Sequence, residues 1–243
     1  MIALYHTLIS YPLLNALIAL YNTIAFEDLG LAIIFLTIII RILLYPIFQK
    51  SIRYQAAMQA IQPKLKKVQE DHKDNREEQS RAMLALYKEH KVNPFSGFFF
   101  ILIQLPILIA LYQLFLQSLS SATLTGLYPF ITAPSVIHTT LLGLINLKNP
   151  SIVIVAATAV AQYVQGRMML SSTPKTGSVS STERTQRQMV FVGPILTIVI
   201  FFRLPAAVTL YWCVTSLASI AQQYFVNKEF SHGPVESLHK KNN

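Results

Sequence analysis

A single arginine interrupts the most apolar run of this chain. In LTIIIRILLYP, residues 36–46, Arg41 stands among Leu, Ile and Tyr side chains. A guanidinium keeps its proton at any physiological pH and presents a rigid fork of N–H donors, suited to carboxylates and other oxygen acceptors. Thr37 lies four residues earlier, on the same helical face. Further polar side chains sit in other apolar runs: Gln104 just before Pro106, then Gln162 and Gln165, then Thr209, Tyr211, Trp212, Thr215 and Ser216. A Gln or Ser inside a membrane more often ties helices together than contacts a ligand, and Tyr or Trp near a span end usually anchors it at the interface. Arg41 has no such plain role. At 1.5 Å per residue it lies about 18 Å from Leu29 and about 10 Å from Phe48. No Asp or Glu stands in another span to pair with it, so water is its expected partner. A wet groove, reached from the nearer side, is its expected setting.

Bond-making chemistry finds no parts. There is no G-x-x-x-x-G-K-[ST] and no G-x-G-x-x-G to cradle a phosphate. The six histidines, at 6, 72, 90, 138, 232 and 239, form no H-E-x-x-H and no ligand pair on one helix. Without an intramembrane carboxylate a proton or sodium relay lacks its groups, and the serines of the spans have no His or Asp partner for hydrolysis. The expected protein is not an enzyme and uses no metal, cofactor or nucleic-acid substrate.

The elements that must position these residues follow from composition. The chain has 243 residues, 53% of them hydrophobic and only 13% charged. A soluble domain carries about a quarter charged residues. The apolar residues come in blocks without strand-like alternation, which predicts an all-α integral membrane protein. Five spans are expected, at 27–48, 95–117, 151–169, 189–202 and 205–226. One helix over 189–226 would be about 57 Å long, too long for a single crossing, so a hairpin at 203–205 divides it. Cys213, the one cysteine, sits in an apolar run and reads as a packing residue.

Residues 1–26 read as a helix lying in the outer interface rather than crossing, because His6, Ser10, Asn15 and Asn22 interrupt them; Asn15 and Asn22 share a face. No Lys or Arg precedes Arg41, so the basic start of a signal peptide is missing. Lys and Arg concentrate in 49–94, in 170–188 with its flank, and in the tail 227–243, leaving Lys148 and Arg203 on the other side. The positive-inside rule then puts the N-terminus outside, the loop 118–150 outside and the C-terminus in the cytosol. Segment 49–94 reads as a cytosolic helical hairpin, with Met58, Ile61, Leu65 and Val68 forming one stripe, Pro63 the one break, DHKDN the turn, and Met83, Leu86 and Tyr87 on the second helix. Its mixed charge fits a solvated surface near anionic lipid headgroups; a docking site for a ribosome or targeting factor is the sharper alternative.

The long segments GLAIIFLTIIIRILLYPIFQKSIRYQAAMQAIQPKLKKVQ and LYKEHKVNPFSGFFFILIQLPILIALYQLF, with LPAAVTLYWCVTSLASIAQQYF near the end, closely resemble the YidC/Oxa1/Alb3 family of membrane protein insertases. The resemblance covers about residues 25–228. It implies a five-helix core around a hydrophilic groove open to cytosol and lipid. It also implies an arginine in that groove at Arg41, client contacts at Thr37, Tyr211 and Trp212, and a groove glutamine at Gln104; Gln165 and Ser216 are expected to line the same groove. Ser216 stands where the family often has Asn. The chain resembles the shorter members, without the large outer domain or lipobox cysteine of other forms. The location implied is a bacterial plasma membrane. Nascent membrane proteins and lipids are the expected partners, with the ribosome, the signal recognition particle or its receptor, and the Sec translocon as further candidates. A membrane-embedded holdase stays open as an alternative. An anion transporter or channel fits less well, because unequal spans without carboxylates offer neither inverted repeats nor coupling groups.

Overall fold

Asp28 opens the first long apolar helix. In the computed structural model its Oδ1 accepts from Leu31 N at 2.9 Å and caps the helix start. The structure describes residues 2–90, 92–93, 96–116, 126–170, 188 and 190–231. Residues 117–125, most of the segment 170–188 and the tail beyond Ser231 therefore lie outside the described residues.

The chain begins with α1 (Ile2–Tyr5), a π-helical turn (His6–Ser10) and α2 (Tyr11–Thr23). It continues with α3 (Leu29–Leu43), α4 (Tyr45–Asp71), α5 (Arg76–Glu89) and α6 (Ser96–Leu116). A two-stranded antiparallel turn, β1 (Thr140–Leu141) and β2 (Ile145–Asn146), precedes α7 (Ile152–Leu170), α8 (Val192–Phe201) and α9 (Ala206–Ser231). The fold is an all-α membrane fold in which the small β-turn is the exception.

Among the described residues no single helix is long and apolar enough to cross a membrane alone. The pair Leu29–Leu43 and Tyr45–Met58 is, by length and composition, and it bends by 72°. Leu44 marks the bend and Pro46 sits in the first turn of α4, where a missing N–H costs nothing. Residues 45–48, assigned from sequence to the first span, thus start the next helix. The last helix falls short in hydropathy because it carries Thr209, Thr215, Ser216, Ser219, Gln222 and Gln223, all buried against other helices.

One apolar core joins α2, α3, α6, α7, α8 and α9, with Leu17, Ile18, Tyr21, Leu29, Ile33, Leu111, Leu147, Val155 and Val208 almost fully buried. The N-terminal helix therefore packs into the bundle through one face. Its Tyr5 hydroxyl donates to the carbonyl of Pro106, ten residues into α6, at 3.3 Å. The asparagines that break its apolar run clasp the loop before α7. Asn15 Nδ2 donates to Gly126 O (2.9 Å), Asn15 Oδ1 accepts from Tyr128 N (2.6 Å), and Asn22 Nδ2 donates to Thr132 O (2.8 Å).

The same loop closes over the starts of α3 and α9. Asp28 Oδ2 accepts from Leu142 N at 2.6 Å, and Ala206 N and Ala207 N donate to Asn149 O and Leu147 O at 3.0 and 3.1 Å. Gly30 is required here: a Cβ on it would lie 2.5 Å from the Leu141 side chain and 2.8 Å from Leu141 Cα. At the opposite end α4 and α5 form a hairpin. Asn75 Oδ1 caps α5 by accepting from the N–H groups of Glu77 and Glu78 at 3.1 and 3.2 Å. Ala57, Ile61, Leu65 and Val92 form its small core with Met58, Met83, Leu86 and Tyr87. Pro63 is absorbed inside α4 without ending it.

Candidate functional site

Helix α3 has two faces of opposite character. Ile38, Ile39, Ile42 and Leu43 are exposed, whereas Thr37 and Arg41 turn inward and are 1% and 8% exposed. The spacing of four puts both polar residues on the side that meets α9. Thr37 bonds within its own helix, its hydroxyl donating to Ile33 O at 2.6 Å.

The guanidinium of Arg41 reaches across to α9. Nη2 donates to the carbonyl of Thr215 at 2.7 Å and to Ser219 Oγ at 2.9 Å, while Nη1 lies 3.4 Å from Gln222 Oε1. Ser219 Oγ–H in turn donates to Thr215 O at 3.0 Å. On its other side the guanidinium carbon lies 4.1 Å from the centre of the Phe48 ring, in the first turn of α4. Stacking on an aromatic face suits a flat, weakly hydrated cation. Every one of these partners is neutral. The expectation from sequence named water as the partner, because no carboxylate was available; the protein groups that meet the guanidinium are a backbone carbonyl, a hydroxyl and an amide. A buried charge costs several kcal/mol unless hydrogen-bonded, and this neutral clasp lowers the cost without cancelling the charge.

Two further polar pairings lie along the same helix. Gln104 Nε2 on α6 is 2.5 Å from the Tyr211 hydroxyl on α9, and Tyr211 is only 2% exposed. Trp212, half-buried, packs its ring against Phe201 at 5.6 Å. Donor and acceptor complementarity orients the Gln162 amide with its oxygen 2.6 Å from Trp212 Nε1 and its nitrogen donating to Gly193 O at 2.8 Å. Trp212 is thereby tied to α7 and α8 at once. Ser216 bonds back to Trp212 O at 3.0 Å.

Of the residues named from sequence, Arg41, Tyr211, Trp212 and Ser216 therefore lie along the α3–α9 contact or beside it, and Gln104 joins them from α6. Gln165 lies half-buried on α7 outside the clasp of Arg41, and Gln162 is the α7 residue that meets Trp212. Sequence reasoning missed Ser219, Gln222 and Gln223. Their signal is a polar stripe at spacings of three and four, through 212, 215, 216, 219, 222, 223 and 227, down a largely apolar helix. Asn227 closes that stripe by donating to Met168 O at 2.8 Å and accepting from Gln223 Nε2 at 2.6 Å.

Comparison with known proteins gives the family. The family model described as 60Kd inner membrane protein matches residues 19–233. A "Membrane protein insertase YidC" of Geobacter sulfurreducens is 31% identical over 224 residues, which are 92% of this chain and 38% of that protein. Its namesake in Francisella tularensis subsp. novicida is 32% identical over 212 residues, 87% of this chain and 34% of that one. A solved structure, that of an active YidC insertase with its first transmembrane domain resolved, superposes with a TM-score of 0.53 at 25% identity, over 81% of this chain and 41% of that chain. The chain thus spans little more than a third of the length of these curated relatives. With a family model that covers most of its length, the chain belongs to the 60Kd inner membrane protein family, an α-helical family of the bacterial inner membrane.

Proposed function

We propose that this chain is a membrane protein insertase, which passes hydrophobic segments of nascent proteins from the cytosol into the bilayer without nucleotide hydrolysis. The observation that carries this reading is Arg41, a permanent cation buried between α3 and α9 and held, among the described residues, by neutral groups. Such a charge still attracts an acidic group more strongly than it attracts its neutral partners, because a carboxylate adds the Coulomb attraction of two full charges, about 4 kcal/mol at 4 Å and an effective dielectric constant of 20. The names of the relatives agree with this reading.

A nascent segment with a short polar tail must move that tail through about 30 Å of hydrocarbon, where an unpaired polar or charged group costs several kcal/mol. Acceptance of an acidic tail by Arg41 part-way across shortens the dry path. The apolar segment then leaves into lipid beside α3 and α9, where Ile38, Ile39, Ile42 and Leu43 on one helix and Leu217 on the other are exposed. Transfer of apolar surface from water drives the step. In this arrangement five spans form the core around a hydrophilic groove, the N-terminus and the loop before α7 lie outside, and the α4–α5 hairpin lies in the cytosol, where ribosomes and targeting factors arrive.

Purified protein in liposomes tests the reading. A single-span client with a short acidic tail should insert, with its tail protected from added protease. Retention of the client in soluble form without protection would make the protein a holdase, and no effect on the client would overturn the proposal.

A further inference from the structure

The clasp on Arg41 is more than a way to bury a charge. Its three acceptors come from one helix within two turns, the carbonyl of Thr215 at 2.7 Å, Ser219 Oγ at 2.9 Å and Gln222 Oε1 at 3.4 Å. Ser219 and Gln222 are themselves 8% and 6% exposed. Both N–H groups of Nη2 are taken, so a client's carboxylate that engages Arg41 with both oxygens must displace an acceptor there, whereas a client with a neutral tail can pass and leave the clasp closed. The acceptors therefore compete with one class of client and not with the other.

We propose that Ser219 and Gln222 are positioning residues that set how strongly the chain prefers acidic over neutral client tails, by holding Arg41 in a neutral clasp that only a carboxylate opens. The inference rests on the insertase reading and adds to it the residues that govern selectivity. A neutral clasp suits this task. A carboxylate at either position would pair with the buried guanidinium and leave nothing for a client, since breaking a buried ion pair strands its charge. A clasp without acceptors would leave the cation free for any acid. Hydroxyl and amide oxygens lie between these limits, as a hydrogen bond to a charged group is weaker than an ion pair with hydrogen bonds. Phe48 stacks on the guanidinium from the other side at 4.1 Å and limits where it can swing when the clasp opens.

The two residues can be moved in opposite directions. Ser219→Ala removes one acceptor and retains the helix, because Ala is the better helix former. Gln222→Glu supplies a resident carboxylate in place of the client's. The assay uses the full chain in liposomes and one single-span client in two versions, whose tails differ only by Asp against Asn. The readout is the ratio of their insertion rates. Ser219→Ala should raise the acidic-to-neutral ratio, by on the order of tenfold for the loss of one charge-assisted bond. Gln222→Glu should bring the ratio down to that of Arg41→Gln. A residue with a merely structural part would change both clients alike and leave the ratio where it was. An unchanged ratio in both variants, or a shift in the same direction in both, overturns the inference while the insertase reading stands. Failure of the unaltered protein to insert either client overturns the insertase reading and this inference with it. Should Ser219→Ala fail to fold, Gln222→Glu alone decides, because a preserved acidic preference there contradicts the clasp.

Discussion

The Gln104 amide of α6 donates to the Tyr211 hydroxyl of α9 across 2.5 Å, which makes a polar rivet between the two helices. Removal of the Tyr211 hydroxyl takes this acceptor from the half-buried Gln104 amide. Tyr211→Phe should therefore cost about 1–3 kcal/mol of stability. Gln104→Leu combined with Tyr211→Phe should cost less than the sum of the two single changes, because both ends become apolar together. Thermal unfolding of the four proteins in detergent measures the coupling, and strict additivity would mean that the contact carries no energy of its own.

Arg41 predicts a trade between stability and activity. A buried cation held by neutral groups is a weak source of stability, and apolar replacement of buried charges is often neutral or stabilising. Arg41→Met should keep or raise the unfolding temperature while insertion of an acid-tailed client falls. Arg41→Lys keeps the charge but loses the fork that reaches Thr215, Ser219 and Gln222 and the flat face on Phe48, so it should fall between the two in acidic preference. A marked drop in unfolding temperature for Arg41→Met would show instead that the residue braces the bundle.

The loop over the far end of the bundle gives a steric prediction. Gly30→Ala places a Cβ within 2.8 Å of Leu141 Cα, so backbone rather than a flexible side chain must yield. A cost of roughly 1–3 kcal/mol is expected from overpacking. Asp28→Ala removes the cap of α3 and the acceptor for Leu142 N together and should cost about 1–2 kcal/mol, with Asp28→Asn milder because it keeps an oxygen at the cap. Protease cleavage in the loop 126–150 should rise in parallel with either loss of stability; cleavage unchanged from the parent would mean that these contacts do not hold the loop down.

The helical class is legible in the sequence because blocks of apolar residues without alternation leave a bilayer few other solutions. Arg41 is legible as an exception because a charge in such a block needs a reason. Its partners are not legible, since two are neutral side chains and one is a backbone carbonyl that carries no mark of residue type. Asn15 and Asn22 show from sequence that they share a face, yet their acceptors Gly126 O and Thr132 O lie more than a hundred residues away. The strands 140–141 and 145–146 are too short to produce a periodic signal. The bend at Leu44 hides for a different reason: the apolar run continues through it, so hydropathy alone carries the first span to residue 48, whereas the chain turns by 72°.

The α4–α5 hairpin yields a prediction that separates folding from client capture. Its core of Ala57, Ile61, Leu65 and Val92 is distinct from the core shared by α2, α3, α6, α7, α8 and α9. The two helices are tied to each other by Lys64 Nζ to His90 Nε2 at 2.8 Å and by Gln79 Nε2 to Gln69 O at 2.9 Å. Where α4 meets α9, the buried contact is made by Ile52, Ala56 and Val226, all before or outside the hairpin tip. Elements with few contacts to the main core open independently of it. Replacement of residues 64–90 by a short Gly/Ser linker should therefore leave the unfolding temperature of the bundle within a few degrees of the parent. Insertion yield should fall under the proposed function, because a partly apolar arm, with Leu84 exposed on it, can receive a hydrophobic segment before the bundle does. Thermal unfolding and insertion yield measured on the same deletion separate the possibilities. A collapse of the unfolding temperature makes the hairpin a brace for the bundle, and an unchanged yield rules out its receiving role.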